Sequence, residues 1–281
     1  MLCRQTISLH RIASRALFRQ TKRTYIRPHY YQQEPSLSKA LQRQKNPLHQ
    51  FGLKVNRLDP NKVLWGLIGT NVTVFLLWQY AYSTYRQFGD PSWISFMSRH
   101  FANSEDAVSK GRLHTLLTSS FSHQSLNHLG INMLVLYSMG QGVLQAVGVS
   151  RFLMLYSGAG LAASLTGIAY RKYIRPILEN KQGNYYNSAA NLSLGASGSV
   201  MGITTFFACA FPRATFLVFF IVPMPAIAVV GLYTAYDLYQ AYAVNKGSIT
   251  DSAGHLGGVA YGAAYWFLRV RPMLRVGKWR V

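Results

Sequence analysis

The sequence predicts an all-α integral membrane protein: a bundle of six transmembrane helices with a long interfacial first loop. Of the 281 residues, 49% are hydrophobic and only 13% are charged, whereas soluble domains carry roughly 25% charged residues. The formal charge of +21 collects at the N-terminus, before the first apolar segment and at the C-terminus, as expected for the basic flanks of membrane helices. Because these residues share no compact face with aromatic residues, a nucleic-acid surface is excluded.

The first 31 residues have the composition of a mitochondrial targeting presequence. They are rich in arginine, serine and threonine, and no acidic residue precedes Glu34. The alternative is a disordered basic arm that binds anionic lipid. Arg23-Thr24-Tyr25 resembles a matrix processing site, so we expect the mature chain to begin near Ile26. Residues 32–62 are predicted to form a basic matrix-side linker, and residues 271–281 a basic C-terminal tail.

Six apolar segments within residues 63–270 are the predicted membrane spans, which must cross roughly 30 Å of hydrocarbon. Residues 86–122 lie between the first two, are too broken by charge to span, and are predicted to lie in the membrane interface. The six spans are expected at about Val63–Tyr82, Ser122–Val147, Phe152–Tyr170, Ser197–Phe211, Met224–Tyr242 and Ala253–Leu268.

An even number of spans places both termini on one side of the membrane. Their basic flanks predict that this side is the matrix, if the membrane is the mitochondrial inner one. The loop after the third span opposes this orientation, because Arg171, Lys172, Arg175 and Lys181 fall on the other face. That loop is longer and also carries Glu179, so we retain the matrix orientation.

Polar residues from three separate stretches are predicted to meet at one depth in the membrane. Spans two, four and six enter from the same face. His123, His128 and Asn132 are expected in the first turns of span two, while Ser197 opens span four and His255 opens span six. Polar groups inside membrane helices are costly, so their coincidence at one depth indicates a functional site.

The residue types at this depth suit nucleophilic catalysis. Serine is a poor nucleophile until a base removes its proton, and His255 is the candidate base for Ser197. His128 and Asn132 are four residues apart and share one helix face. With the backbone N–H of Ser197, they could bind the oxyanion formed when a peptide carbonyl is attacked.

Small residues on spans four and six predict close helix packing, which would bring the serine and histidine together. These residues are Gly198, Gly202, Gly258 and Gly262. Each feature also has a structural explanation: the histidines and the asparagine as hydrogen bonds between helices, and the glycines as packing alone. Their joint placement at one depth favours the active-site interpretation.

Two aspartates near this face require separate interpretations. Asp237 could orient His255 and complete a triad, or it could be a helix-end carboxylate bonded to a tyrosine or to the loop. We favour the second interpretation, because a serine–histidine dyad already has nucleophile and base. Asp251 is expected to cap the last helix. Cys3 and Cys209 are too few for a disulfide framework or a cysteine metal site.

Three stretches carry a family resemblance: the His123…His128…Asn132 run, Gly195-Ala196-Ser197-Gly198, and His255-Leu256-Gly257-Gly258 followed by Gly262. In this order they resemble the rhomboid family of intramembrane serine proteases, and with the presequence its mitochondrial, presenilin-associated-type branch. The resemblance implies that Ser197 is the nucleophile and His255 the general base. It implies that His128 and Asn132 are the oxyanion-hole side chains and that Gly195 shapes the hole. His123 would be a polar residue at the mouth of a water cavity.

The sequence departs from the family pattern at two points in this region. Many relatives carry a tyrosine four residues after the serine, stacked on the histidine. Here that position is Met201, so the base must be oriented by other packing. The usual Trp-Arg pair of the first loop is not evident, and Arg112 and His114 are the nearest candidates.

The resemblance also implies the function. Substrates would be single-span proteins of the mitochondrial inner membrane, including a dynamin-related GTPase, cut within or near the transmembrane segment. The active site would open toward the intermembrane space, with no cofactor, metal or nucleic acid involved. The alternative is a non-catalytic rhomboid-like protein that binds and sorts membrane helices, but such a protein should lack the serine or the histidine. A transporter would show internal repeats, and none is found.

Overall fold

The computed structural model describes residues 47–181, 192–218, 221–243 and 251–272. The predicted presequence, most of the predicted linker and residues 273–281 lie outside these ranges. The chain divides into two units, Met1–Gln50 and Phe51–Val281. Of the first unit, only the start of helix α1 (Pro47–Val55) is described, and the site lies in the second.

Each of the six predicted apolar segments coincides with a helix. These helices are α2 (Pro60–Phe88), α6 (Leu126–Val147), α7 (Val149–Ala169), α9 (Ser197–Ala210), α10 (Ala226–Ala243) and α11 (Ser252–Tyr265). Within the described ranges, two helices are both long and apolar enough to cross a membrane: α2 and the continuous helix Val149–Glu179. Helix α9 is apolar but has only 14 residues, about 21 Å at 1.5 Å per residue.

Helix α2 is longer than predicted because local signals define both of its ends. The Asp59 side chain accepts a hydrogen bond from the backbone N–H of Asn61 at 2.8 Å, and Pro60 occupies the first helical position. At the other end Gly89 adopts a φ of 68°, a conformation that glycine tolerates and that ends the helix.

The segment between α2 and α6 contains three short helices: α3 (Ser92–Phe101), α4 (Glu105–Ser109) and α5 (Thr115–Thr118), followed by a 3₁₀ turn at Ser119–Phe121. Met97 of α3 is buried against Trp78 of α2. The Trp78 indole N–H donates to Ser122 Oγ at 3.0 Å, and Ser122 Oγ donates to the Phe101 carbonyl at 2.6 Å. The segment is therefore fixed to α2.

Two regions differ from the sequence prediction. Helix α7 does not end at Tyr170, because a π-helical turn (Tyr170–Ile174) and helix α8 (Arg175–Lys181) continue it into the predicted loop. The second region is the broken apolar stretch between α9 and α10, for which the sequence predicted no strands. Strands β1 (Thr215–Val218) and β2 (Val222–Pro225) form an antiparallel hairpin there, with Phe216 paired to Met224. Span five accordingly begins at Ala226 rather than near Met224.

Helices α7, α9 and α11 pack against one another at the centre of the second unit. Leu155 and Tyr156 of α7 and Ile203 and Phe206 of α9 are almost fully buried in one apolar core. Phe206 also meets Trp266, just after α11, edge to face at 5.5 Å between ring centroids. This three-helix core positions the N-termini of α9 and α11 side by side.

Candidate active site

Ser197 is the first residue of α9 and follows a turn that only glycine accommodates easily. Gly195 has a φ of 141°, a region that other residues rarely adopt. Its N–H donates to the Ser119 carbonyl at 2.9 Å, which anchors the turn to the 3₁₀ segment before α6. A side chain at Gly195 would also lie 2.9 Å from Cε1 of His128. The turn thus holds the serine next to the His128 ring.

The candidate base lies within hydrogen-bond distance of the candidate nucleophile. The Nε2 atom of His255 is 2.7 Å from Ser197 Oγ. His255 lies in the first turn of α11, where Asp251 caps the helix by accepting from the Gly254 N–H at 3.0 Å. The predicted capping role of Asp251 is confirmed. The same carboxylate pairs with Arg171 at 3.0 Å and accepts from Ser193 Oγ.

The preferred interpretation of Asp237 as a helix-end carboxylate bonded to a tyrosine or the loop is wrong. Asp237 is 3% exposed, and its Oδ2 and Oδ1 atoms lie 3.1 and 3.3 Å from Nδ1 of His255. An acceptor at Nδ1 favours the tautomer that carries its proton there, which leaves Nε2 free to accept from Ser197. A single carboxylate within an otherwise apolar helix was the signal for this role, because such groups are costly unless they are used.

The helix glycines bring α9 and α11 into backbone contact, as predicted. A Cβ atom added to Gly258 would collide with the Gly198 carbonyl oxygen, and one added to Gly262 would collide with the Gly202 carbonyl oxygen. A Cβ on Gly202 would lie 3.1 Å from the Gly258 oxygen and would collide with Ala159 of α7. This close approach holds the serine and histidine at hydrogen-bond distance.

The two predicted oxyanion-hole side chains, His128 and Asn132, lie one turn apart on α6. The His128 ring contacts the Gly195 position, while Ser125 Oγ caps α6 by accepting from the His128 N–H at 3.2 Å. Asn132 is buried, and its amide donates to the His128 carbonyl at 2.8 Å. The N–H of Ser197 belongs to the first turn of α9, whose N–H groups have no partner within the helix.

The remaining predicted site residues are His123 and Met201. His123 precedes α6, so its predicted place in the first turn of span two is wrong, and its side chain is 0% exposed. Its ring packs edge-on against His128, 5.1 Å between centroids. Met201 lies one turn after Ser197 and is half-buried. Because position 201 is methionine and not tyrosine, the His255 ring needs another contact to orient it, and Asp237 provides that contact.

The two candidates for the first-loop pair, Arg112 and His114, have other partners. Arg112 donates to Asp106 at 3.2 Å, and His114 Nε2 lies 3.0 Å from His100 Nδ1. Across residues 47–272, apart from the gaps stated above, no three His, Cys, Asp or Glu side chains are grouped to hold a metal ion.

Comparison with known proteins identifies the family. A rhomboid domain model matches residues 110–272. The chain is 31% identical over 231 residues to Rhomboid protein 1, mitochondrial, of Saccharomyces cerevisiae, covering 79% of this chain and 60% of that protein. It is 32% identical over 224 residues to RHOMBOID-like protein 12, mitochondrial, of Arabidopsis thaliana, covering 79% and 61%.

A human protein matches at lower identity. Over 210 residues the chain is 27% identical to Presenilin-associated rhomboid-like protein, mitochondrial, of Homo sapiens, covering 75% of this chain and 49% of that protein. The chain thus spans from about half to three fifths of the length of these curated relatives. The family model and the two relatives above 30% identity confirm the resemblance found in the three motifs: the chain belongs to the rhomboid family.

Proposed function

We propose that this chain is an intramembrane serine endopeptidase in which Ser197 is the nucleophile and His255 the general base. The observation that carries the proposal is the continuous line of contacts from Ser197 Oγ to His255 Nε2, and from His255 Nδ1 to Asp237. A nucleophile bonded to a base that a third group orients is the arrangement of serine hydrolases.

The arrangement supports a two-step hydrolysis. His255 Nε2 accepts the Ser197 hydroxyl proton while Oγ bonds to the scissile carbonyl carbon, and the imidazolium then protonates the leaving amine as the C–N bond breaks. Water attacks the resulting acyl ester with His255 again acting as base, which releases the acid and restores the serine. Asp237 stabilises the imidazolium in both steps without itself taking the proton.

The oxyanion formed in each step would be bound by the donors around the Gly195 turn: the Ser197 N–H, the His128 ring and the Asn132 amide. Asn132 donates one amide hydrogen to the His128 carbonyl, and the second hydrogen of the same NH2 group is available to the oxyanion. We expect Asn132→Ala to lower kcat by about 10²-fold with little change in KM, because a donor that acts only in the transition state is removed. A raised KM with kcat unchanged would instead assign Asn132 to substrate binding.

The short helix α9 supports cleavage below the membrane surface. At 14 residues it is about 21 Å long, against roughly 30 Å of hydrocarbon, so its N-terminus would lie within the bilayer. The substrates would then be single-span membrane proteins, cut within or near their transmembrane segments. The names of the relatives place those proteins in mitochondria. For this chain we propose, from the family resemblance, six spans in the mitochondrial inner membrane and a site open to the intermembrane space. A dynamin-related GTPase would be among its substrates.

Replacing Asp237 with asparagine tests whether its contact with His255 is used in catalysis. We expect Asp237→Asn to lower kcat by about 10²- to 10⁴-fold with KM little changed, because an amide disfavours the productive histidine tautomer and does not stabilise the imidazolium. Asp237→Glu should recover part of the rate. A kcat within about threefold of wild type would restore the interpretation of Asp237 as a structural carboxylate.

The proposed function itself is tested by mapping where cleavage occurs. The purified chain in liposomes would be incubated with a generic single-span protein rich in small residues, and the products sequenced by mass spectrometry. We expect one main cut within or beside the span, absent with Ser197→Ala. Binding of the substrate without cleavage, by a folded wild-type chain and across several substrates, would favour the non-catalytic helix-binding function.

A further inference from the structure

A polar cleft outside the active site lies at the end of α2. Its volume is about 370 Å³, and Gln79, Tyr82, Arg86 and Gln124 line it. Residues 79, 82 and 86 are three and then four apart, so they share one helix face. Gln124 comes from the other side, in the loop that leads into α6. None of these residues takes part in the proposed reaction.

The walls of the cleft are held in place by contacts beneath it. Tyr82 stacks on Trp78, with ring centroids 5.6 Å apart and planes inclined by 25°. The Trp78 indole in turn donates to Ser122, two residues before Gln124. The helix side and the loop side of the cleft are therefore joined by one chain of contacts, and the opening between them is a fixed feature of the fold.

Arg86 is a cation without a counter-ion among the described residues. It forms no ion pair with any residue that the structure describes. The carboxylate four residues later, Asp90, is engaged instead by the N–H and hydroxyl of Ser92, at 2.9 and 2.8 Å. A guanidinium beside two amides and a phenol is a donor-rich site that suits a phosphate group.

The surroundings of the cleft suit a phosphate group that is part of a lipid. Along the same face of α2, Leu76 and Val72 continue away from the cleft, and they are 59% and 37% exposed. They provide an apolar track about 5–10 Å long for an acyl chain, which a free phosphate would not use. Tyr85 and Trp93 are exposed near the same helix end, as aromatic residues are at the headgroup level of a bilayer.

We propose that this cleft binds the phosphate headgroup of an anionic phospholipid, with Arg86 as the charged partner and the Leu76–Val72 track against an acyl chain. The proposal rests on membership of a membrane-embedded family and does not depend on peptide cleavage. It places a lipid site next to the loop that carries His123 and leads to His128. Ser197 does not line the cleft. The Ser197→Ala variant should therefore bind lipid as the wild type does, even though it does not cleave peptides.

The test is native mass spectrometry of the full chain in delipidated detergent micelles, titrated with dioleoylphosphatidylglycerol. We expect one tightly retained lipid, with affinity reduced about tenfold in Arg86→Gln, because a charge-assisted hydrogen-bonded contact is lost. Arg86→Lys should lose less affinity than Arg86→Gln, because lysine keeps the positive charge although it lacks the planar guanidinium fork. Arg99→Gln is the matched control: it removes an exposed arginine of α3 outside the cleft and should change nothing.

Three outcomes would overturn the proposal. Equal lipid retention by wild type and Arg86→Gln would show that the arginine only complements the end of its helix. Displacement of the lipid by excess inorganic phosphate would indicate a soluble phosphate ligand. Unchanged lipid binding with a raised KM in Arg86→Gln would indicate that the cleft receives an acidic part of the protein substrate.

Discussion

Replacing Ser197 with alanine is expected to lower the rate of peptide cleavage by about 10⁴-fold or more, and His255→Ala should cost nearly as much. The two side chains are joined by a 2.7 Å contact and act as one unit, because the serine is inert without a base and the base has no role without the serine. The double variant should therefore be no slower than either single variant.

The matched control for these variants is Ser199→Ala. Ser199 lies two residues after the candidate nucleophile on the same helix, is fully buried, and its hydroxyl has no hydrogen-bond partner in the described part of the chain. Its replacement should leave kcat within about threefold of wild type. A loss at Ser199 equal to that at Ser197, or additive losses for Ser197 and His255, would contradict the proposed catalytic unit.

Replacing Gly258 with valine is expected to have the largest effect on stability. A Cβ at this position would collide with the backbone oxygen of Gly198, and backbone cannot move aside as a flexible side chain can. Helices α9 and α11 would have to separate, at a cost of about 3 kcal/mol or more. We expect a clear fall in the thermal unfolding midpoint in detergent, and loss of cleavage even in the fraction that stays folded.

The control for Gly258 is Gly231→Ala on α10. An added Cβ at Gly231 meets no atom within 4 Å, so this substitution should be neutral or raise stability by about 0.5 kcal/mol through the better helix propensity of alanine. If Gly258→Val unfolded at the wild-type temperature, the close packing of α9 on α11 would not hold in the protein.

The helix content and the serine–histidine pair could be predicted because both depend on local patterns. Each apolar run coincides with a helix of the structure. Counting the predicted membrane crossings along the chain placed Ser197 and His255 at the same side of the membrane, in agreement with their contact. The β1–β2 hairpin was missed because its pairing of Thr215 with Pro225 depends on chain reversal between two apolar stretches, which resembles a broken helix in the sequence.

The sequence indicated that Asp237 has a use, but its partner could not be assigned, for a different reason. It lies 18 residues before His255, on another helix, and only the rotation of α10 about its axis determines whether its carboxylate reaches the histidine or a nearby tyrosine. That rotation is set by packing between helices, which periodicity alone does not report. His123 was misplaced similarly, because the cap at Ser125 starts α6 two residues after the histidine.

The most direct test of the central claim is covalent labelling with a fluorophosphonate, which reacts with an activated serine and needs no natural substrate. The full chain in detergent would be labelled, digested and the modified residue located by mass spectrometry. We expect a single adduct, on Ser197, that forms much more slowly in His255→Ala and is intermediate in Asp237→Asn. An adduct on another serine, or one on Ser197 that forms equally fast without His255, would contradict the account.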